Sequence, residues 1–379
     1  MQRRALLQMG LASAAMAPSA ALSAETSPPA FPPADDRSVW LIGDSAPSSL
    51  ATTASLYARV AAGDDGTELR DSYLKNGAVS SLEKRFADIL DKEDCAFFPT
   101  GTLANNVAVR VLCGENRRAV VQHESHLYRD EADAAQILGG VNLVALARGR
   151  ADISLDEIKA DVEAAENGPY PVKTGAVSIE SPVRRKDGEL VGIDAMRAIS
   201  AYAREKKIGL HLDGARLLLA PGSLNVKAYS ALFDTVYISL YKYLDAPFGA
   251  VLAGPKAVIE KARHLRHLYG GLIYQGWAAA LPALETLKTF PAEMALAHAR
   301  ASEVFGALEA SGRIRVRRSP NASNISFLDL DAEIADAVFD RCRLAGVRAA
   351  KPRDGAMIFF TNTTILRRST EDYVSLFLG

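Results

Sequence analysis

The sequence has few cysteines and no surplus of charge, and both shortages narrow the possible functions. Its three cysteines, Cys95, Cys113 and Cys342, are widely spaced and form no Cys-x-x-Cys pair, which argues against a disulfide framework or a zinc site. The 44 basic and 45 acidic side chains leave a formal charge of −1. Composition therefore gives no electrostatic reason to expect a nucleic acid or an anionic membrane as a partner, and a small molecule is the better expectation.

Nucleotide-binding patterns and long apolar runs are also missing. The chain has neither Gly-x-x-x-x-Gly-Lys-Ser/Thr nor Gly-x-Gly-x-x-Gly after a predicted strand, which disfavours an ATPase or a nicotinamide enzyme. Its N-terminal apolar run, residues 5–17, is well short of the roughly 20 residues that a transmembrane helix needs. We therefore expect no membrane anchor.

The first 34 residues predict an export signal followed by a linker. Arg3 and Arg4 precede the apolar run, and small residues through Ala24 follow it, so residues 1–24 are typical of a twin-arginine signal peptide. An ordinary secretory signal that contains two arginines is the alternative. Four prolines predict a linker over residues 25–34. Together these features predict a bacterial protein that is periplasmic or secreted.

Short apolar runs alternate with amphipathic segments from about residue 80 to residue 255. The runs predict strands at 95–98, 119–122, 141–147, 176–179, 208–212, 236–240 and 250–253. This alternation predicts a large α/β domain over residues 35–285, with a mostly parallel sheet covered on both faces. Residues 286–379 predict a small C-terminal α+β domain. Ligands of such sheets bind beyond the carboxyl ends of the strands, which makes the residues there the candidates for function.

The most informative sequence, His211-Leu212-Asp213-Gly214-Ala215-Arg216, lies at the end of one predicted strand. A carboxylate there can pair with a protonated ring nitrogen, and an arginine can hold a carboxylate through two parallel hydrogen bonds. A surface ion pair between Asp213 and Arg216 explains the spacing equally well. The pattern alone leaves both interpretations open.

Lys242 follows another predicted strand and stands between Tyr241 and Tyr243. Burial beside aromatic rings would lower the pKa of its ammonium group, so that the neutral amine could attack a carbonyl. A lone lysine at such a place is more often a surface residue with its charge in water. Lys242 is therefore a candidate only in combination with other signals.

A third signal, Pro99-Thr100-Gly101-Thr102, separates a predicted strand from an amphipathic helix that begins near Leu103. Backbone N–H groups at a helix N-terminus form a binding site for phosphate. A Thr-Gly-Thr turn is common in loops, so this signal is weak by itself.

These three signals occur in the order found in the threonine aldolase and β-eliminating lyase family, which the chain resembles from about residue 71 to residue 361. Further matching segments are Asp71-x-Tyr73, Ser81-Leu82-Glu83, His126-Leu127-Tyr128, Ala246-Pro247-x-Gly249, Gly270-Gly271 and Ser323-Asn324-Ile325. The resemblance implies a fold-type I enzyme that depends on pyridoxal 5′-phosphate, with a seven-stranded sheet and a homodimeric or homotetrameric assembly. It also implies a lyase that splits a β-hydroxy-α-amino acid, such as threonine, into glycine and an aldehyde.

The resemblance assigns roles to individual residues. Lys242 would bind the cofactor covalently, Asp213 would pair with its ring nitrogen, and Arg216 would hold the substrate carboxylate. His126 would stack on the ring and is a candidate base, although without the resemblance it reads as a surface histidine at a helix start. Phosphate binding is implied for Thr100, Gly101 and Thr102.

Several positions depart from the family pattern. The family's Glu-Asn-Thr-His reads Glu180-Ser181-Pro182-Val183 here, so the histidine that contacts the substrate hydroxyl is replaced by Val183. Ile358 stands where a second carboxylate-binding arginine is common, and Tyr241 replaces a serine. Losing such a charge-assisted bond weakens binding by roughly 1.5–3 kcal/mol. We therefore expect a divergent member, with β-elimination, transamination or a non-catalytic cofactor-binding role as the alternatives.

Overall fold

The structure is a computed structural model that describes residues 38–62 and 69–379. The predicted signal peptide and linker, residues 1–34, lie outside the described residues and stay sequence-based predictions. Within the described ranges, no helix is both long and apolar enough to cross a bilayer.

A seven-stranded sheet is the centre of the larger unit. The strands of the described ranges are β1 (Val39–Trp40), β2 (Asp94–Phe98), β3 (Arg118–Gln122), β4 (Asn142–Leu146), β5 (Ala176–Glu180), β6 (Gly209–Asp213), β7 (Thr235–Ser239), β8 (Ala250–Gly254), β9 (Ile314–Arg317), β10 (Ile325–Leu330), β11 (Val347–Arg348) and β12 (Ala356–Phe360). The central order is β2-β8-β7-β6-β5-β3-β4. Only β8 runs antiparallel to its neighbours. The predicted mostly parallel seven-stranded sheet is confirmed.

Helices cover both faces of this sheet and build the smaller unit. They are α1 (Leu50–Ala62), α2 (Gly77–Leu90), α3 (Gly101–Cys113), α4 (His126–Arg129), α5 (Ala134–Gly139), α6 (Leu155–Glu166), α7 (Ile193–Lys206), α8 (Val226–Ser230), α9 (Lys256–Leu268), α10 (Trp277–Thr286), α11 (Phe290–Ala310), α12 (Ala332–Leu344) and α13 (Thr370–Leu378). Short 3₁₀ helices lie at Arg184–Lys186, Leu217–Leu219 and Thr363–Arg367.

Burial on both faces explains why the central strands read as nearly continuous apolar runs. β5, β7 and β8 are buried along their whole length. Successive side chains of a strand point to opposite faces. Val236 and Ile238 of β7 thus join the large core with α2 and α7, whereas Tyr237 joins the core beneath α3 and α9.

The C-terminal part has a hydrophobic core of its own, which also includes Val39 and Leu41. β1 pairs in parallel with β11, and β12-β10-β9 form an antiparallel sheet. The two cores meet within α11, because Phe290 and Met294 pack into the large core and the residues from Ala297 onward pack into the small one. The predicted small α+β unit is present, and its boundary at residue 286 stays a prediction.

The carboxyl ends of the six parallel central strands meet at one edge of the sheet. Parallel strands bring the segments that follow them to the same side, and the antiparallel β8 starts from that side. The residues carried to this edge are Thr100–Thr102 after β2, His126 after β3, Glu180 of β5, Asp213 of β6 and Lys242 after β7.

Candidate active site

A cavity of about 360 Å³ opens at this edge of the sheet. It is lined by every residue to which the sequence assigned a role: Thr100, Gly101, Thr102, His126, Asp213, Arg216 and Lys242. The wall also includes residues without a sequence-assigned role, among them Asn105, Glu180, Tyr237, Tyr241 and Phe248. The fold therefore brings the predicted residues together, while their individual roles remain predictions.

Lys242 lies in the cavity with its ammonium group removed from water. Burial and, to a lesser degree, the nearby Arg216 charge lower the pKa of Lys242 to about 8, against the opposing effect of Asp213. Its carbonyl accepts a hydrogen bond from Ser45 Oγ at 2.9 Å, which holds the loop after β7 in place. A substantial share of the amine is thus neutral near physiological pH and able to act as a nucleophile.

Asp213 is a buried carboxylate held from two sides. Its Oδ2 accepts a hydrogen bond from Asn105 Nδ2 at 2.7 Å, and its Oδ1 accepts one from the Ala215 backbone N–H at 3.1 Å. Only 3% of Asp213 is exposed. The carboxylate is therefore fixed in orientation before any ligand binds.

His211 supports Asp213 through Asn105. Because the amide nitrogen of Asn105 donates to the Asp213 carboxylate, the amide oxygen of Asn105 points the other way. This oxygen lies 3.0 Å from His211 Nε2. The other imidazole nitrogen lies 2.8 Å from Thr235 Oγ1. Burial lowers the pKa of His211 to about 4, which keeps the ring neutral with its proton on Nε2.

The N-terminus of α3 forms a narrow cradle in the cavity wall. Thr100 caps the helix, and its hydroxyl accepts a hydrogen bond from the Leu103 N–H at 3.2 Å. At Gly101 a Cβ atom would lie only 2.0 Å from Tyr237 Oη, so no other residue fits. Free N–H groups of the first helical turn in such a cradle suit a phosphate group.

Arg216 is fixed by an ion pair that the sequence did not reveal. Its Nε donates to Asp44 Oδ2 at 2.8 Å, and the two side chains are only 11% and 9% exposed. Asp44 lies shortly after β1, far from Arg216 in the chain. Because the contact uses Nε, the terminal amino groups of the guanidinium stay available for a ligand carboxylate.

His126 connects two buried carboxylates, Glu180 in the cavity wall and Glu131 outside it. Its backbone N–H donates to Glu180 Oε2 at 2.6 Å, and its Nδ1 lies 2.8 Å from Glu131 Oε1. The hydrogen bond to Glu131 raises the pKa of His126. Burial and the neighbouring Asp213 charge raise the pKa of Glu180 to about 7.

Sequence reasoning missed Glu131, Glu180, Asp44 and Tyr237. Glu180 ends a strand next to Asp213 and could have been found by the same strand-end rule. Tyr237 could have been found from its two-residue alternation with Ser239 and Thr235. Asp44 and Glu131 carry no local signal, because their partners are set by tertiary packing.

Of the positions that depart from the family pattern, Tyr241 faces the cavity. Val183 is fully buried in the large core. Ile358 is half-buried on β12 and is not part of the cavity wall. Of these three replacements, Tyr241 is therefore the one placed to contact a ligand in the cavity.

Comparisons with known proteins agree with this geometry. The family described as beta-eliminating lyase matches residues 42–331. An aldolase of Penicillium aethiopicum is 33% identical over 275 residues, which cover 69% of this chain and 68% of that protein. A low-specificity L-threonine aldolase of Candida albicans is 28% identical over 270 residues, 70% of this chain and 71% of that protein.

A solved structure has the same fold. It comes from Exiguobacterium and is assigned to the aromatic amino acid beta-eliminating lyases and threonine aldolases. The two chains superpose with a TM-score of 0.75 at 25% sequence identity, over 90% of this chain and 95% of the other.

Proposed function

This chain belongs to the beta-eliminating lyase family, and on that basis we propose that it is a pyridoxal 5′-phosphate-dependent lyase acting on a β-hydroxy-α-amino acid such as threonine. The products are glycine and an aldehyde. The observation that carries the proposal is one cavity in which the buried amine of Lys242 lies with Asp213, Arg216 and the N-terminus of α3. The names of the Candida and Penicillium relatives support the reaction class.

The residues present fit the cofactor. The N-terminus of α3 at Gly101 offers backbone N–H groups to a phosphate, and the amine of Lys242, with its pKa lowered to about 8, suits a covalent bond to the cofactor's aldehyde carbon. Asp213, an oriented and buried carboxylate, is placed to pair with a protonated ring nitrogen. A cavity of about 360 Å³ is within the range typical of small-molecule sites.

Each side chain has a distinct task in the proposed reaction. When bound, pyridoxal phosphate supplies a protonated ring that accepts the electron pair of the breaking carbon–carbon bond. Asp213 keeps the ring nitrogen protonated, and Arg216, fixed by Asp44, orients the substrate through its carboxylate. Retro-aldol cleavage further requires a group that removes the hydroxyl proton of the substrate.

Absorbance of the purified protein tests the cofactor and its lysine. We expect a visible band between about 300 and 500 nm, as is general for pyridoxal phosphate bound to a lysine. The band should be lost in Lys242→Ala and retained in Lys288→Ala, whose lysine is 65% exposed. A colourless protein that cannot be reconstituted with pyridoxal phosphate would contradict the proposal.

Product analysis tests the reaction. We expect equal amounts of glycine and acetaldehyde from threonine, and none from Lys242→Ala. A second candidate, β-elimination or transamination of an amino acid, is favoured by the replacement of the family's histidine with the buried Val183. Ammonia with a 2-oxo acid, or a 2-oxo acid without ammonia, would identify these reactions instead.

We also propose that the enzyme is exported to the periplasm and forms a homo-oligomer. The support for export is the sequence of residues 1–24, and the support for the oligomer is the family resemblance. Cell fractionation of the wild type and of an Arg3→Lys, Arg4→Lys variant tests export, since the double replacement removes the arginine pair that marks a twin-arginine signal. Light scattering of the mature protein measures its molar mass and thus the number of subunits in the oligomer.

A further inference from the structure

The cradle at the N-terminus of α3 has free hydrogen-bond donors. Leu103 and Ala104 donate their backbone N–H groups back to Thr100, to its hydroxyl and to its carbonyl, each at 3.2 Å. The N–H groups of Gly101 and Thr102 bond to no residue that the structure describes. These two groups point out of the helix end, where a phosphate would meet them first.

The basic residues of the cavity wall have other tasks in the proposed function. Within the described ranges, the arginine and the lysine that line the cavity are Arg216 and Lys242. Arg216 pairs with Asp44 and orients the substrate, and Lys242 bonds to the cofactor's aldehyde carbon. The imidazole of His126 is held at Glu131. A phosphate with two negative charges therefore needs uncharged donors from the wall, because a buried anion without hydrogen bonds is strongly disfavoured.

Tyr237 places a hydroxyl group beside the first residue of this cradle. A Cβ built on Gly101 would lie 2.0 Å from the Tyr237 Oη and 2.6 Å from its Cζ, so the phenol is in contact with the Gly101 backbone. Tyr237 lines the cavity, although only 3% of the residue is exposed. Its ring is packed in the core beneath α3 and α9, which fixes the position of the hydroxyl.

The register of the sheet accounts for the position of Tyr237. Side chains of β7 alternate between the two faces, and Tyr237 is paired with Asp213 of the neighbouring β6. Both side chains lie on the α3 face, because Asp213 bonds to Asn105 of α3 and Tyr237 packs beneath that helix. Asp213 and Tyr237 are therefore placed to contact one ligand at two points, its ring nitrogen and its phosphate.

The Tyr237 hydroxyl has no firm partner in the part of the chain that the structure describes. Ser239, two residues further along the same face of β7, interacts with it. The Ser239 Oγ is nonetheless buried without a hydrogen bond of normal geometry. Burial raises the pKa of Tyr237 well above its ordinary value of 10, and the Asp213 charge acts in the same direction. The phenol thus keeps its proton and is available as a donor.

We propose that the Tyr237 hydroxyl donates a hydrogen bond to the cofactor phosphate and so makes the protein selective for the phosphorylated cofactor. This inference rests on the proposed function, which requires that cofactor. Together with the N–H groups of Gly101 and Thr102, the hydroxyl completes a set of uncharged donors for the dianion. Tyr237 breaks no bond of the substrate, so its effect should depend on the presence of the phosphate group.

A cycle of two cofactors and two proteins isolates this hydrogen bond. Pyridoxal lacks the phosphate but keeps the ring and the aldehyde, and Tyr237→Phe lacks the hydroxyl but fills the same space beside Gly101. Titration of the cofactor-free proteins with each compound, followed by absorbance, measures the four affinities. We expect Tyr237→Phe to weaken binding of pyridoxal 5′-phosphate by about 10- to 100-fold, as is typical for the loss of a hydrogen bond to a charged group. Its affinity for pyridoxal should change by less than about twofold.

Tyr373→Phe is the matched control. Tyr373 is fully buried in the small core, and its hydroxyl donates to the Ile365 carbonyl at 3.0 Å. The variant thus removes a phenolic hydrogen bond outside the cavity wall, and both affinities should remain those of the wild type. An unchanged affinity of Tyr237→Phe for pyridoxal phosphate, or an equal loss for both compounds, would overturn the inference.

Phosphorus-31 NMR of the cofactor-loaded proteins provides a second readout that needs no turnover. The signal of the bound phosphate should shift in Tyr237→Phe and stay in place in Tyr373→Phe. Identical signals in the wild type and in Tyr237→Phe would contradict a hydrogen bond from this hydroxyl. Failure of the proposed function has a different signature: the wild type then binds neither compound through Lys242, and the inference falls with it. Failure of the inference alone leaves wild-type binding intact and removes only the difference between tyrosine and phenylalanine.

Discussion

At Gly101 the cavity wall leaves no space for even a methyl group. The Tyr237 ring that occupies this space is 3% exposed and cannot move aside without disturbing the core beneath α3. The cradle therefore depends on a residue without a side chain. Glycine is needed here because the Tyr237 ring packs against the position that a Cβ would occupy, and not because the backbone adopts an unusual angle.

Gly101→Ala should weaken pyridoxal phosphate binding by at least about tenfold, because the new Cβ would displace Tyr237 or the helix start. Titration of the cofactor-free protein with pyridoxal phosphate, followed by absorbance, measures the change. Gly192→Ala is the control: nothing lies within 4 Å of its added Cβ, and its φ of −60° suits alanine. Equal affinities of the two variants would contradict this role of Gly101.

The buried amine of Lys242 should destabilise the cofactor-free protein. Its folded-state pKa of about 8 lies below the ordinary value of 10.5, so unfolding takes up a proton between these two pH values. The free energy of unfolding therefore rises with pH across this window. Below pH 8 the destabilisation is fully present, at about 3 kcal/mol.

Lys242→Met removes the charge and keeps the length of the side chain. Without cofactor, this variant should unfold at a higher urea concentration than the wild type at pH 7, and the difference should shrink by about 1 kcal/mol between pH 7 and pH 9. Lys288→Met, at a 65% exposed lysine, should show no such pH-dependent difference. A pH-independent difference for Lys242→Met would show that the amine is not titrating in this range.

At the scale of elements, the edge strand β2 is covered by side chains instead of another strand. Its Phe97 N–H donates to Glu83 Oε1 at 2.7 Å, and Arg263 donates to the Cys95 carbonyl at 2.6 Å. Arg266 donates to the Phe97 carbonyl. Exposed edges are sites of aggregation, and these contacts close the edge next to the phosphate cradle.

Arg263→Met should lower the free energy of unfolding by roughly 2–3 kcal/mol. Arg263 is bonded to Asp94 at 2.5 Å and to Glu83 at 3.2 Å, so its loss takes the cation from Asp94 and one of two nearby cations from Glu83. Arg315→Met is the comparison, because the 76% exposed Arg315 pairs with Asp329 at the surface and its loss should cost less than about 1 kcal/mol. Urea unfolding measures both, and equal losses would contradict the structural role of Arg263.

At the scale of the whole molecule, residues 38–49 join the small core to the active site. β1 pairs with β11, and Asn362 Nδ2 donates to the Trp40 carbonyl at 2.7 Å and to the Gly43 carbonyl at 2.8 Å. The next residues, Asp44 and Ser45, hold Arg216 and the Lys242 loop. The position of Arg216 thus depends on the C-terminal unit.

Asn362→Ala should raise KM for the amino acid by about 3- to 10-fold, because the segment that holds Asp44 loses two hydrogen bonds. Cofactor absorbance should persist. Asn225→Ala is the matched control, because it also removes an asparagine side chain that forms a structural hydrogen bond. Asn225 caps α8 by accepting a hydrogen bond from the Ala228 N–H at 3.0 Å. Its loss should lower the free energy of unfolding by about 1 kcal/mol and leave KM unchanged. If both variants raise KM alike, general destabilisation explains the effect.

Local sequence was sufficient for much of the fold and for part of the cavity wall. Apolar runs predicted all seven central strands to within about two residues, because buried parallel strands must be apolar over their length. Strand ends then indicated Asp213 and Lys242, and the family suggested by their order is confirmed. The short strands β1, β9 and β11 escaped prediction, since two to four residues carry too little periodicity.

The sequence by itself therefore indicated seven residues that line the cavity, because most of them follow the end of a strand or begin a helix. Only the tertiary structure decided what holds them. Asp44 meets Arg216 across 172 positions, and Asn105 meets Asp213 across 108. Such contacts leave no periodic trace in the chain, because a buried charge is satisfied by whichever donor or acceptor the packing of distant elements brings within about 3 Å.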